Sequence, residues 1–256
     1  MEHRLLVISL KRTPERLKTF FENNKNVLVE WEIDVIHGID GLEQEQVNQQ
    51  SRWVSASAVQ HWTKGAIGSA LSHIKAWRRC IELNQDVIIT EDDAILASDL
   101  KHKLEQLNII GRSAKQTGLV LLGWNTDSLL QAELSPGLEI ISLFEPIYPE
   151  LEQIKAIVNT NRERHLCHLN LCFGLPAYWI NPQIAHDLLN ACMPLKVEQN
   201  IMMRGIPKHV LVTLDGMLTN RYKAINAKVT IPPLALALNN QKTSLTRRKP
   251  VHNFQS

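Results

Sequence analysis

Three adjacent carboxylates, Glu91, Asp92 and Asp93, close the apolar run Val87-Ile88-Ile89-Thr90. Their mutual repulsion is costly unless a cation or solvent relieves it. Ligands of open α/β sheets sit just beyond the carboxyl ends of the strands. A divalent ion there takes one or two carboxylates and leaves its other positions to water and diphosphate oxygens. The plainer alternative is a solvated acidic turn. A second group, Ser9, Lys11, Arg12 and Arg16, surrounds the turn after the first apolar run. Cations at that end of a sheet suit a nucleotide's phosphates or base edge, although Lys11 and Arg16 read equally well as a surface patch. Gly65, Gly68, Ser69 and Ser72 recur at helical spacing, so four small residues share one face and admit a backbone or a ligand. His73 lies one turn beyond Ser69; a lone helical histidine is more often a structural hydrogen-bond partner than a ligand. Asp215, after Val212-Thr213-Leu214, reads evenly as a catalytic base or a turn residue.

The elements that must position these groups follow from apolar periodicity. Residues 4–9 form a buried strand, and Thr13-Pro14 opens a helix with Thr13 as its cap. Residues 29–35 alternate apolar and acidic, the period of a half-wet strand, and 37–41 break it as a loop. Residues 63–83 predict the longest helix, 86–90 the strand that carries the acids, and 100–110 a further helix. Residues 119–122, 138–143 and 175–180 read as strands, 145–165 as a loop leading into a helix, and Asn181-Pro182 as the cap of a helix ending near Cys192. Strands alternating with helices argue for an α/β sandwich around a mostly parallel sheet. The expected organisation is a single domain over 1–240 and a basic tail over 241–256.

The 256 residues are 44% apolar and 21% charged, the balance of a soluble globular protein with ample core. No apolar run is long enough to span a bilayer, and the polar start lacks the pattern of a signal peptide. The expected location is therefore the cytoplasm. Four cysteines are too sparse for a disulfide framework. His165, Cys167, His168 and Cys172 are close together, but their spacing is not that of paired zinc ligands, and they read as buried thiols and ordinary histidines. The net charge of +2 is unevenly placed: from Gly216 onward there are seven Lys and Arg and no acid, leaving −5 for the rest. That end suits an anionic partner, either substrate phosphates or a membrane surface. Nucleic acid is not expected, because few aromatics accompany the cations.

Taken in chain order, these pieces resemble glycosyltransferase family 25, the lipopolysaccharide and lipooligosaccharide biosynthesis family. Val7-Ile8-Ser9-Leu10-Lys11-Arg12 with Arg16 resembles its opening, and His37-Gly38-Ile39-Asp40-Gly41 its second block. Gly65-Ala66-Ile67-Gly68-Ser69-Ala70-Leu71-Ser72-His73 followed by Trp77 is the most specific match, and Glu91-Asp92-Asp93 corresponds to the acidic metal motif. Gly174-Leu175-Pro176-Ala177-Tyr178-Trp179-Ile180 and Leu214-Asp215-Gly216 fit less specifically. Thr90 stands where the family usually has an apolar residue, and the acids are not a strict Asp-x-Asp, so which of them touch metal stays open.

The resemblance implies a nucleotide-binding fold of the GT-A kind, a UDP-sugar donor (often UDP-galactose), a saccharide or lipid-linked oligosaccharide acceptor, Mn2+ or Mg2+, and inversion at the anomeric carbon. It assigns donor binding to Ser9, Arg12, Arg16, Asp40, Gly68, Ser72, His73 and Asp92, metal to Asp93 with Glu91 or Asp92, and the catalytic base to Asp215. It also implies peripheral contact with the inner face of the cytoplasmic membrane. A homologue that binds without turnover and a nucleotidyltransferase are the competing expectations.

Overall fold

The computed structural model describes residues 3–111, 118–199 and 210–238. The first elements are β1 (Arg4–Ser9), α1 (Pro14–Leu28), β2 (Glu32–His37), α2 (Gln44–Asn48), a 3-10 turn (Ser51–Trp53), α3 (Ala56–His61) and α4 (Lys64–Leu83). Then come β3 (Val87–Glu91), β4 (Ala94–Leu96), α5 (Leu100–Gln106), β5 (Val120–Leu121), β6 (Leu130–Ser135), β7 (Leu138–Ser142) and α6 (Leu151–Val158). The remainder is β8 (His165–Cys172), β9 (Ala177–Ile180), α7 (Pro182–Cys192), β10 (Glu198–Gln199), β11 (Val210–Leu211), α8 (Leu214–Thr219), β12 (Lys228–Ile231) and β13 (Ala235–Ala237).

Among the described residues, nine strands form one sheet in the order β2-β1-β3-β9-β5-β12-β8-β6-β7. β1 pairs in parallel with β2 and β3, and β12 with β5; the other ladders are antiparallel. Hence β2, β1, β3, β5, β12 and β6 run one way, and β9, β8 and β7 the other. Side chains alternate across each strand. Leu6 and Ile8 of β1 join a core with α4, α7 and α8, whereas Leu5 and Val7 join another with α1, α5 and α6. The result is the α/β sandwich expected from the sequence. A separate two-stranded ribbon, β13 against β4, lies beside the acidic end of β3.

Caps explain several boundaries. Thr63 accepts from Ala66 N–H at 3.1 Å, and Asn181, as expected, from Ile184 N–H at 2.8 Å. Thr13 departs from expectation: its hydroxyl makes no cap bond and is buried without a partner, so Pro14 alone sets the start of α1. The strand expected over 29–35 begins only at Glu32, because α1 runs on to Leu28 and Val29 is left exposed in the turn. The helix expected over 100–110 stops at Gln106. The segment 145–165 does lead into a helix, α6, whose cap is a reciprocal box between Glu150 and Gln153. His165, Cys167, His168 and Cys172 all fall on β8, where alternation divides them between faces; burial pushes the Cys167 and Cys172 thiols up. No helix of the described residues is long and apolar enough to cross a membrane.

Candidate active site

β1 and β3 are parallel neighbours, so their carboxyl ends arrive side by side, with Ile8 opposite Glu91. Asp92 follows at once, held by its N–H to the Ile8 carbonyl at 3.1 Å. The Ser9 hydroxyl donates to Asp92 Oδ2 at 2.7 Å. Arg16, in the first turn of α1, reaches Asp92 Oδ1 at 2.7 Å and Asp93 Oδ2 at 2.9 Å. Burial raises the Asp92 pKa, against the pull of Arg16 and Ser9. Burial and the neighbouring Glu91 charge push Asp93 up to about 7, despite Arg16. Burial works against the charge on Arg16, but Asp93, Asp92 and Glu91 outweigh it and hold its pKa above the ordinary value. The second oxygen of Asp93, Oδ1, is buried and has no hydrogen-bond partner.

Asn24 of α1 steadies the segment beyond the acids: its amide donates to the Ala94 carbonyl at 2.9 Å and accepts from Leu96 N–H at 2.8 Å. Thr90, the departure from an apolar residue, is fully buried and donates to the Pro176 carbonyl at 2.9 Å. That bond satisfies the hydroxyl inside the sheet.

The small face of α4 has a backbone partner. A Cβ on Gly68 would lie 2.5 Å from Gly41 N and 2.7 Å from the Ile39 carbonyl, so the 37–41 loop rests directly on the helix. Ser72 Oγ donates to the Gly68 carbonyl at 2.7 Å and accepts from Ile39 N–H at 2.8 Å. Asp40, on that loop, pairs with Arg12 and accepts from Leu42 N–H at 3.0 Å. Burial opposes its charge, yet the Arg12 bond and the Leu42 N–H hold its carboxyl below the usual value.

His73 is buried with both ring nitrogens engaged: Nδ1 lies 2.9 Å from the Tyr178 hydroxyl and Nε2 lies 3.1 Å from Glu91 Oε1. Trp77 Nε1–H donates to the same hydroxyl at 2.8 Å. Asp215 sits in the first turn of α8, where Oδ2 accepts from Gly174 N–H at 2.7 Å and Oδ1 from Gly216 N–H at 2.8 Å. Gly174 has φ +86°, and a Cβ there would run into the Asn125 side chain.

These groups surround a cavity of about 570 Å3. Ser9, Arg12, Arg16, Asp40, Ser72, Glu91, Asp92 and Asp93 all line it, together with Gly65 and Ser69. Gly68, His73 and Asp215 do not line it: Gly68 lies under the loop, His73 behind Glu91, and Asp215 behind the Gly174 turn. Glu15, Thr19, Asn23, Asn125 and Leu238 line it as well and were not expected. A signal for three of them exists, since Arg12, Glu15 or Arg16, Thr19 and Asn23 recur at helical spacing. Asn125 and Leu238 arrive through tertiary contacts, Asn125 by its N–H on the Phe173 carbonyl and Leu238 by its N–H on the Asp93 carbonyl.

Among the described residues no three His, Cys, Asp or Glu side chains gather as a metal cage. The donor set at the end of β3 is instead carboxylate-only, with one buried oxygen unpaired, which fits a hard divalent cation shared with phosphate and water. The chain matches the family described as Glycosyltransferase family 25 (LPS biosynthesis protein) over residues 2–203. The comparison with curated proteins found no match.

Proposed function

The chain belongs to glycosyltransferase family 25, and on that footing we propose that it moves a sugar, galactose, from a UDP-sugar to a hydroxyl of a saccharide acceptor with inversion. The family is one of lipopolysaccharide biosynthesis; nucleotide, sugar, metal and stereochemistry are our reading. The observation that carries it is the acidic end of β3, open to a cavity that also presents Arg12 and Arg16.

Asp93, with Glu91 or Asp92, would hold Mn2+ or Mg2+ through carboxylate oxygens, the unpaired Oδ1 of Asp93 foremost. When bound, such a cation neutralises charge that develops on the leaving diphosphate. Ser9 and Arg16 keep Asp92 aligned from two sides. Arg12, steadied by Asp40, presents positive charge to the donor. Ser72 and Gly68 act by fixing the Asp40 loop, and His73 acts through Glu91. Asp215 is our choice for the base that takes the acceptor proton. The N–H groups of Gly174 and Gly216 orient its carboxylate, and the turn it holds backs Asn125 at the cavity wall.

A lipid-linked oligosaccharide acceptor, met at the inner face of the cytoplasmic membrane, fits the basic end of the chain. The test is a panel of UDP-sugars read by thermal shift with and without Mn2+, followed by mass analysis of products. A glycosidic product supports the reading. Pyrophosphate release would make the protein a nucleotidyltransferase, and donor binding without any turnover would make it a binding homologue.

A further inference from the structure

A line of buried polar groups runs from the core to the cavity and ends on Glu91. Trp77 and Tyr178 are fully buried and His73 is 1% exposed, whereas the Glu91 side chain is 32% exposed at the cavity. Strand geometry aims the line. Tyr178 of β9 stands opposite Ile89 of β3, and Glu91 is two residues further on the same face, toward α4. The direction of each bond follows from donor inventory. An indole N–H only donates, so Trp77 occupies a lone pair of the Tyr178 oxygen. The phenol hydrogen then has His73 Nδ1 as its acceptor, and burial raises the Tyr178 pKa well above its usual range, so it stays a donor. With Nδ1 accepting, the ring proton sits on Nε2 and points at Glu91 Oε1. In this arrangement every hydrogen along the line has a partner.

Asp92 and Asp93 are tied to Arg16 from the α1 side, and Glu91 is tied to His73 from the α4 side. We infer that Trp77, Tyr178 and His73 are positioning residues that set the tautomer of His73 and thereby the direction in which the Glu91 carboxylate faces the donor's diphosphate and its cation. The inference rests on the donor-site reading above and adds to it Trp77 and Tyr178, which touch neither substrate nor the carboxylate. Partners one step behind a ligating carboxylate are worth roughly 10–100-fold in metal affinity or activity.

The test measures Mn2+ binding in the presence of UDP, by the electron paramagnetic resonance signal of free Mn2+. Tyr178→Phe removes one oxygen, His73→Leu removes the donor to Glu91, and His73→Gln keeps an N–H there. Tyr178→Phe and His73→Leu should each weaken binding about 10-fold, with His73→Gln closer to the parent. Combined with Glu91→Gln, Tyr178→Phe should bring no further loss, because its effect passes through that carboxylate. Thermal melts without ligand report on the fold of each variant. A loss that adds in full to that of Glu91→Gln would make the line a packing feature only. Unchanged binding in Tyr178→Phe, with binding lost in Glu91→Gln, would overturn the inference alone. Unchanged binding in Glu91→Gln would also overturn the inference and leave Asp93 with Asp92 as the donor-site pair, whereas unchanged binding in Asp93→Asn would overturn the donor-site reading.

Discussion

Asp93→Asn should make the protein more stable at pH 8 while abolishing transfer. A carboxyl moved from its ordinary 3.8 to about 7 is harder to ionise folded than unfolded. At roughly 1.36 kcal/mol per pKa unit the ceiling is about 4 kcal/mol. The Asp93 side chain is 27% exposed and the variant also gives up its Arg16 pair, so the net gain is nearer 1–2 kcal/mol. The pH sign follows from linkage. The pKa is raised in the folded state, so the stability it contributes is complete below about 4 and is lost as pH rises through about 7. The advantage of Asn over Asp therefore exists at pH 8 and disappears by about pH 4. Urea unfolding of both proteins at the two pH values measures it, and the expected gain corresponds to a rise in Tm of about 2–8 °C. Mn2+ with UDP should reverse the order at pH 8 by stabilising only the parent. An Asn variant destabilised equally at both pH values would show that folding does not raise the Asp93 pKa and would refute the reasoning.

Gly68→Ala places a Cβ against the backbone of Gly41 and Ile39 and should cost about 1–3 kcal/mol, with weaker UDP binding as the Asp40 loop is displaced; an unchanged melt and affinity would separate the small-residue face from the donor site. Asp215→Asn keeps one acceptor for two backbone N–H groups and should cost about 1–3 kcal/mol. It should also cut transfer at least 100-fold with donor binding retained; near-normal transfer would remove Asp215 as the base. The cations Lys242, Arg247, Arg248 and Lys249 lie outside the described residues. A truncation after Asn240 should lose binding to anionic vesicles, at about 1 kcal/mol per cation near the surface, and keep donor hydrolysis. Salt should mimic it, since screening acts within roughly 8 Å; equal sedimentation of both forms at low salt would show the tail to be only a solvated end.

The acidic end of β3 was legible because an apolar run meeting three carboxylates is a local pattern, and β1 and α4 were legible from their apolar run and apolar periodicity. β8, β12 and β13 were not. Their short stretches gain strand character from partners distant in the chain, as Thr230 does opposite Leu166. Thr13 shows the limit of cap signatures: the residue type was right, but its backbone turned the hydroxyl away. His73 was readable as a structural histidine, yet its partners Tyr178 and Glu91 lie 105 and 18 positions away. Only the folded sheet brings them together.

The two-stranded ribbon beside the acids bears on how the protein is made. Leu238 holds the Asp93 carbonyl, and β12 fills the sheet between β5 and β8. Both come from chain beyond the family match, which ends at residue 203. A nascent chain therefore lacks an inner strand and part of its cavity wall until residues 228–238 have been translated. Fragments that stop short of it leave the facing edges of β5 and β8 unpaired, a template for pairing with another chain.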